Sequence, residues 1–129
     1  MGSGTEIGRV RGLGSAKSGG HHWILQRITA VGNLALLLWL VFSLLRLPQY
    51  SHEVMTLWLS SPLVAVPMIL MLVSIFWHLR LGLQVLIEDY VHDQGTKFGV
   101  LLALSFFAIG GAAVGIFAVA KVAFIGVVA

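Results

Sequence analysis

The chain contains no cysteine in its 129 residues. That excludes disulfides, Cys-ligated zinc and protein-ligated iron–sulfur clusters within it. Charge is also scarce. Asp, Glu, Lys and Arg make up only 10%, against roughly 25% in a soluble domain. What is plentiful is apolar surface: 58% hydrophobic residues and a mean hydropathy of +0.96. A chain this short buries the smallest fraction of its surface and cannot hide that much grease in one core. The composition therefore excludes an ordinary soluble enzyme, a disordered chain and a nucleic-acid binder. The formal charge of +3 and the pI near 9.8 read as membrane topology rather than as a footprint for nucleic acid.

Three apolar runs carry that surface. Residues 28–45 hold no charge between Arg27 and Arg46. Residues 63–87 are broken by His78 and Arg80, and residues 98–120 run up to Lys121. A spanning helix needs about 20 such residues. Lipid leaves no partner for an open backbone, so helices are the expected form. Alternating strands of a membrane barrel are not present. The expected fold is an all-α membrane protein with three transmembrane helices over about 24–47, 62–90 and 97–127. Residues 1–20 read as a flexible basic cytoplasmic tail and residues 21–129 as the three-helix membrane domain. Residues 46–62, with Pro48, His52, Glu53 and Pro62, read as a connection, as do residues 88–97. Pro67 falls in the first turns of the second span, where proline costs least.

Lys and Arg set the orientation. Arg9, Arg11, Lys17, Arg27 and Lys97 lie on one side, and Arg46 and Lys121 on the other. The N-terminus is expected inside and the C-terminus outside. No short apolar segment starts near Met1, so a cleaved signal peptide is not expected. Gly12 to Ser18 imitates a phosphate loop but lacks the glycine before Lys17 and a preceding strand, so nucleotide binding is not expected.

Two ionisable residues lie deep in the second span. An Arg at a helix centre costs about 2.5–3.5 kcal/mol to insert, so neither Arg80 nor His78 should face lipid. Neutral His78 has two readings: an interhelical hydrogen bond, to Asn33 or Ser105, or an axial bond to haem iron. The first and third spans contain no other histidine, and His21, His22, His52 and His92 lie at or beyond the edges. A bis-His haem would then need its second ligand from another chain. His78 and Asp89 are eleven residues apart, which brings them to within about 20° on the helical wheel and about 16 Å along the axis. Gly82 lies one turn from His78 and leaves room for a flat macrocycle or for close helix packing. Arg80 points about 200° away from His78, toward another helix or toward Glu88 by way of Gln84. Asp89-Tyr90 ends the helix. Tyr90 suits the interfacial aromatic belt or, with Asp89, an acid–phenol pair that donates a hydrogen bond to a lipid-soluble carbonyl. Gly111-x-x-x-Gly115 in the third span suits close helix packing.

The run from His78 through Gly82 to Asp89-Tyr90-Val91 resembles the H-x-x-x-G-x(6)-D-Y-V signature of the small hydrophobic anchor subunit of succinate dehydrogenase, the D-type anchor of complex II. The stretch His21-His-Trp23-Ile-Leu-Gln-Arg27-Ile-Thr29-Ala30 is similar to that family's segment before its first helix. The resemblance implies roles. His78 would be one axial ligand of haem b, with the other from the partner anchor. Tyr90 would hydrogen-bond ubiquinone beside Asp89, and Arg27 would face a haem propionate or the quinone pocket with His21 nearby. Trp23 is an interfacial anchor or part of that edge, and Arg27 could equally snorkel to lipid phosphate. The implied partners are a second membrane anchor (the cytochrome b subunit), an iron–sulfur subunit and a flavoprotein subunit. The implied location is a bacterial inner membrane rather than a mitochondrial one. Arg80 inherits no role. The alternatives are the anchor of a quinol:fumarate reductase and a non-redox membrane scaffold. An ion pathway through Arg80, Glu88 and Asp89 is discounted, because the first and third spans carry few polar groups.

Overall fold

The computed structural model describes Glu6 and residues 19–128. The cations Arg9, Arg11 and Lys17 and the glycine-rich stretch around them lie outside the described residues. Four helices follow in order: α1 (Gly19–Leu45), α2 (His52–Ser60), α3 (Pro62–Tyr90) and α4 (Gln94–Val128). Among the described residues α1, α3 and α4 are each long and apolar enough to cross a membrane. The all-α membrane fold is thus the one expected, and the second span runs over the expected residues.

Three boundaries differ from the sequence expectation. The first helix begins at Gly19, five residues before residue 24, so the division at residue 20 falls inside it. The third span begins at Gln94 rather than 97. The connection over 46–62 contains a helix of its own, α2. Its start is a local device: the Ser51 side chain accepts from the Val54 backbone N–H at 3.3 Å, an N-cap that satisfies one orphan donor of the first turn. Its end flows into α3. Ser61 closes α2 through its N–H to the Trp58 carbonyl and opens α3 as N-cap. Pro62 follows at the first helical position, where its missing N–H costs nothing. At the end of α1 the Leu44 carbonyl accepts from the Leu47 backbone N–H at 3.1 Å and from Tyr50 Oη at 3.1 Å. Trp58 stacks on Trp39 with centroids 6.5 Å apart, which ties α2 back to α1.

Helix α3 is the middle of the molecule. It packs on α1 along one side and on α4 along the other, while α1 and α4 make no backbone approach to each other among the described residues. Helix α2 lies against α4 and α3. The buried residues Ala65, Met71, Leu81, Leu104, Ala108 and Val119 all belong to α3 and α4. Lipid is as apolar as leucine, so close contact rather than water exclusion must hold this pair. The contact is visible at Gly111 and Gly115. A Cβ on Gly111 would sit 2.6 Å from the Phe76 ring, and one on Gly115 would sit 3.1 Å from Leu72. The two glycines are notches that receive two α3 side chains, as the Gly-x-x-x-Gly spacing suggests. Phe76 is further held edge-on to Phe107.

Candidate functional site

His78 faces α1. Its Nδ1 lies 3.0 Å from Thr29 Oγ1. The Thr29 hydroxyl has one proton, and it points back along its own helix to the Leu25 carbonyl at 2.8 Å, with Gln26 O at 3.0 Å. With the hydroxyl proton placed there, the Thr29 oxygen can accept from the imidazole Nδ1–H, and the tautomer that makes this bond carries its lone pair on Nε2, the arrangement a metal-binding imidazole needs. The interhelical hydrogen bond expected for His78 therefore exists, but its partner is Thr29, not Asn33 or Ser105. Asn33 Oδ1 is buried without a hydrogen-bond partner, as is His22 Nε2.

A cleft of about 280 Å³ opens beside this bond, lined by Trp23, Gln26, Arg27, Ala30 and His78. Arg27, an exposed side chain, lies over the Trp23 ring at 5.1 Å, a cation–π contact that steadies the guanidinium. His78 of α3 and Arg27 of α1 thus share one cleft, with Trp23 and Ala30 each about one turn of α1 from Arg27. Gly82 keeps that end open: a Cβ there would meet only the Gln26 amide at 3.9 Å. Helix packing does not require glycine at this position. His21 is exposed and does not line the cleft.

Asp89 and Tyr90 stand apart from the cleft, at the end of α3. Tyr90 is 76% exposed and lines a shallow apolar hollow of about 420 Å³ with Leu86, Ile87 and Val91. Asp89 is exposed and does not line that hollow. The twelve residues from His78 to Tyr90 correspond to about 18 Å of helix, so the two groups form two stations along α3.

Arg80 faces the other way, onto α4. Its Nε donates to Ser105 Oγ at 3.2 Å and its Nη1 to Gln84 Oε1 at 3.3 Å. Gln84 Nε2 passes on to Glu88 Oε1 at 2.9 Å. Both readings of Arg80, contact with another helix and a relay through Gln84 to Glu88, are met at once.

Gln26 and Ala30 line the cleft and Thr29 stands behind it as the partner of His78, and the sequence reading assigned none of the three to it. The signal for Gln26 and Ala30 was the i, i+3, i+4 and i+7 spacing of Trp23, Gln26, Arg27 and Ala30 on one face of α1.

Residues 1–112 match the family model described as the succinate dehydrogenase/fumarate reductase transmembrane subunit. The chain is 34% identical over 105 residues to the succinate dehydrogenase hydrophobic membrane anchor subunit of Rickettsia bellii, covering 81% of this chain and 84% of that one. The Rickettsia conorii protein of the same name is 32% identical over 106 residues, with the same shares. The succinate dehydrogenase membrane anchor subunit of Reclinomonas americana is 31% identical over 96 residues, 72% of this chain and 80% of that one. No solved structure matches the chain. Three spanning helices, a His78-to-Tyr90 helix at their centre and these relatives lead to one assignment: the chain belongs to the succinate dehydrogenase/fumarate reductase transmembrane subunit family, as a membrane anchor.

Proposed function

We propose that this anchor works in the succinate-to-ubiquinone direction in a bacterial inner membrane, N-terminus inside. It docks the flavoprotein and iron–sulfur subunits, pairs with a second, cytochrome b anchor, and holds half of a haem b site. The observation that carries the haem reading is the Thr29–His78 bond at 3.0 Å. It orients a half-buried imidazole with Nε2 free, beside a cleft whose other polar wall is Arg27.

The residues fit the group. His78 supplies one axial nitrogen, Arg27 a fixed cation for a propionate, and Gly82 an unfilled backbone surface. Haem b, when bound, would supply a one-electron redox centre. Thr29 turns the imidazole toward the cleft. Trp23 keeps Arg27 from snorkelling away. An α1–α3 cleft of this size accepts one edge of a macrocycle, so the second anchor must enclose the rest.

Ubiquinone is the substrate at the other station. Tyr90 donates its phenolic hydrogen to a quinone carbonyl, and Asp89, next in the chain and at the interface, accepts or returns protons from water. The exposure of Tyr90 leaves its ring for the docked soluble subunits to cover.

Reduced-minus-oxidised spectra of the purified complex test the haem reading. The wild type is expected to show a b-type signal and His78→Ala to lose it. A wild type without that signal overturns the assignment of His78. Tyr90→Phe is expected to lower quinone reduction about tenfold, the worth of one hydrogen bond of about 1.4 kcal/mol. Succinate oxidation with a soluble artificial acceptor should persist. Equal loss of both activities overturns the quinone role of Tyr90.

A further inference from the structure

Arg80 is the only Lys or Arg of α3, and the haem and quinone readings leave it unused. It lies ten residues before Tyr90 and eighteen after Pro62, about 15 Å inside one end of the helix and about 27 Å from the other. Charge at that depth is costly to insert. The side chain is half-buried and firmly held. Its Nε donates to Ser105 Oγ at 3.2 Å and its Nη1 to Gln84 Oε1 at 3.3 Å. Ser105 spends its own proton on the Leu101 carbonyl. Both partners are neutral, so they hold the guanidinium in place and leave its charge intact.

This chain brings no carboxylate to cancel that charge within the spans. Its acidic residues are Glu6, Glu53, Glu88, Asp89 and Asp93, and none lies deeper than the last turn of α3. The ionisable groups of α1 are His21, His22 and Arg27, and those of α4 are Lys97 and Lys121. Glu88 is exposed and joins Arg80 only through the Gln84 amide, two turns or about 12 Å along the helix. A guanidinium does not lose its proton in a protein. Helix α3 therefore carries a permanent positive charge in the apolar layer. His78 stands on the other side of the same helix. One helix thickness of about 10–12 Å separates guanidinium and imidazole, so a group held at Nε2 lies about 15 Å from the charge.

We propose that Arg80 raises the reduction potential of the haem read at His78, by its charge and without touching it. The inference rests on that haem reading. An electron arriving from the iron–sulfur subunit lowers the net charge of the haem by one unit, and no bond of this chain is made or broken. A fixed cation favours the less positive, reduced form. At an effective dielectric constant of about 20, one unit charge about 15 Å away is worth about sixfold in the reduced-to-oxidised ratio. For a one-electron couple that is about 50 mV. The bonds to Ser105 and Gln84 give the charge a fixed distance, and keep the long side chain from snorkelling to the interface, where water would screen it.

A redox titration of the purified complex, followed by its reduced-minus-oxidised spectrum, reads the potential directly. Arg80→Gln should lower the midpoint by about 50 mV, with the absorbance maxima and haem content of the wild type. Arg80→Lys keeps the charge and should keep most of the wild-type midpoint. Ser105→Ala removes a hydrogen bond but no charge, and should do the same. Ser105→Asp sets a carboxylate against the guanidinium and should lower the midpoint as Arg80→Gln does. It reads the charge even where Arg80→Gln does not assemble. A wild type with no b-type signal fails the haem reading and takes this inference with it. A normal signal whose midpoint is unmoved by Arg80→Gln or Ser105→Asp overturns the role of the charge alone and leaves the haem reading standing. An equal fall in Arg80→Lys or Ser105→Ala, or shifted absorbance maxima in Arg80→Gln, means altered packing around His78 and overturns the proposal as well.

Discussion

Helix α3 has two neighbours and treats them differently. Against α4 it packs by shape: Phe76 and Leu72 enter the notches at Gly111 and Gly115, and among the described residues every buried one lies on these two helices. Against α1 it packs by polar contact. Thr29 meets His78, Ser74 Oγ donates to the Thr29 carbonyl at 3.4 Å, and α1 buries no residue of its own. Without a hydrophobic drive between helices in lipid, the α3–α4 pair is held by interlocking shape and the α1–α3 pair by hydrogen bonds. The α1 side also carries the more polar cleft, with Gln26, Arg27 and His78 in its lining.

The comparison breaks most visibly at Gly111. Gly111→Leu forces a branched side chain where even a Cβ meets the Phe76 ring at 2.6 Å. Overpacking of this kind costs about 1–3 kcal/mol. Thermal unfolding of the complex in detergent should show a clear fall in Tm. Gly111→Ala should cost less, and Phe76→Leu in the same chain should recover part of it, because the two sites are in direct contact. Additive losses in the double variant would mean that the notch does not hold Phe76.

Thr29→Val is the next largest and acts on the other interface. It keeps the shape and removes the hydroxyl, at a cost of about 1 kcal/mol. The more telling readout is spectroscopic. With Nδ1 released, the imidazole is free to rotate and to change tautomer, so a haem spectrum and potential should shift while the α3–α4 pair stays intact. Thr29→Ser should restore the wild-type spectrum. An unchanged spectrum in Thr29→Val would show that the bond does not orient His78.

Gly82→Ala is expected to be nearly silent in stability. A Cβ there finds only Gln26 at 3.9 Å, and alanine is favoured over glycine inside a helix by about 0.5–1 kcal/mol. A stable complex with altered haem content would locate the reason for glycine in the cleft. A loss as large as that of Gly111→Ala would make the two faces of α3 alike.

These contrasts also mark what the residues disclose in advance. The three spans follow from run length alone, and Pro62 with Tyr90 brackets the second span correctly. The glycine notches follow from their spacing of four. The Arg80–Gln84–Glu88 relay follows from i, i+4 periodicity. Thr29 as the partner of His78 does not follow, because hydropathy fixes neither the register nor the rotation of α1 against α3. Asn33 and Ser105 were equally eligible by depth. Helix α2 was hidden for another reason. Its nine residues lie between two prolines with His52 and Glu53 at its start, and that pattern is shared by a loop. The Ser51 cap and the Trp39–Trp58 stack that hold it become visible only in three dimensions.

The smallest expected effect lies in the short turn that joins the tight pair. Asp93 precedes α4, and its Oδ2 accepts from the Thr96 hydroxyl at 2.6 Å and from the Thr96 backbone N–H at 2.8 Å. Both bonds favour the carboxylate, the hydroxyl most, and lower its pKa from the ordinary 3.8. A depressed carboxylate stabilises the folded state above the unfolded pKa. That contribution fades as pH falls below about 4 and is gone once pH drops past the folded value. The group is fully exposed, so solvent and salt screen it. The effect should be a slight loss of Tm on acidification, present in the wild type and missing from that residue's share in Asp93→Asn, which keeps an acceptor but cannot titrate. The connection between α1 and α3, which uses a whole helix in place of a capped turn, provides the control. Ser51→Ala weakens the α2 cap with no titrating group, so its loss should be the same at either pH. A pH-dependent loss there, or none at Asp93, would show that the short turn does not fasten α3 to α4 through this carboxylate.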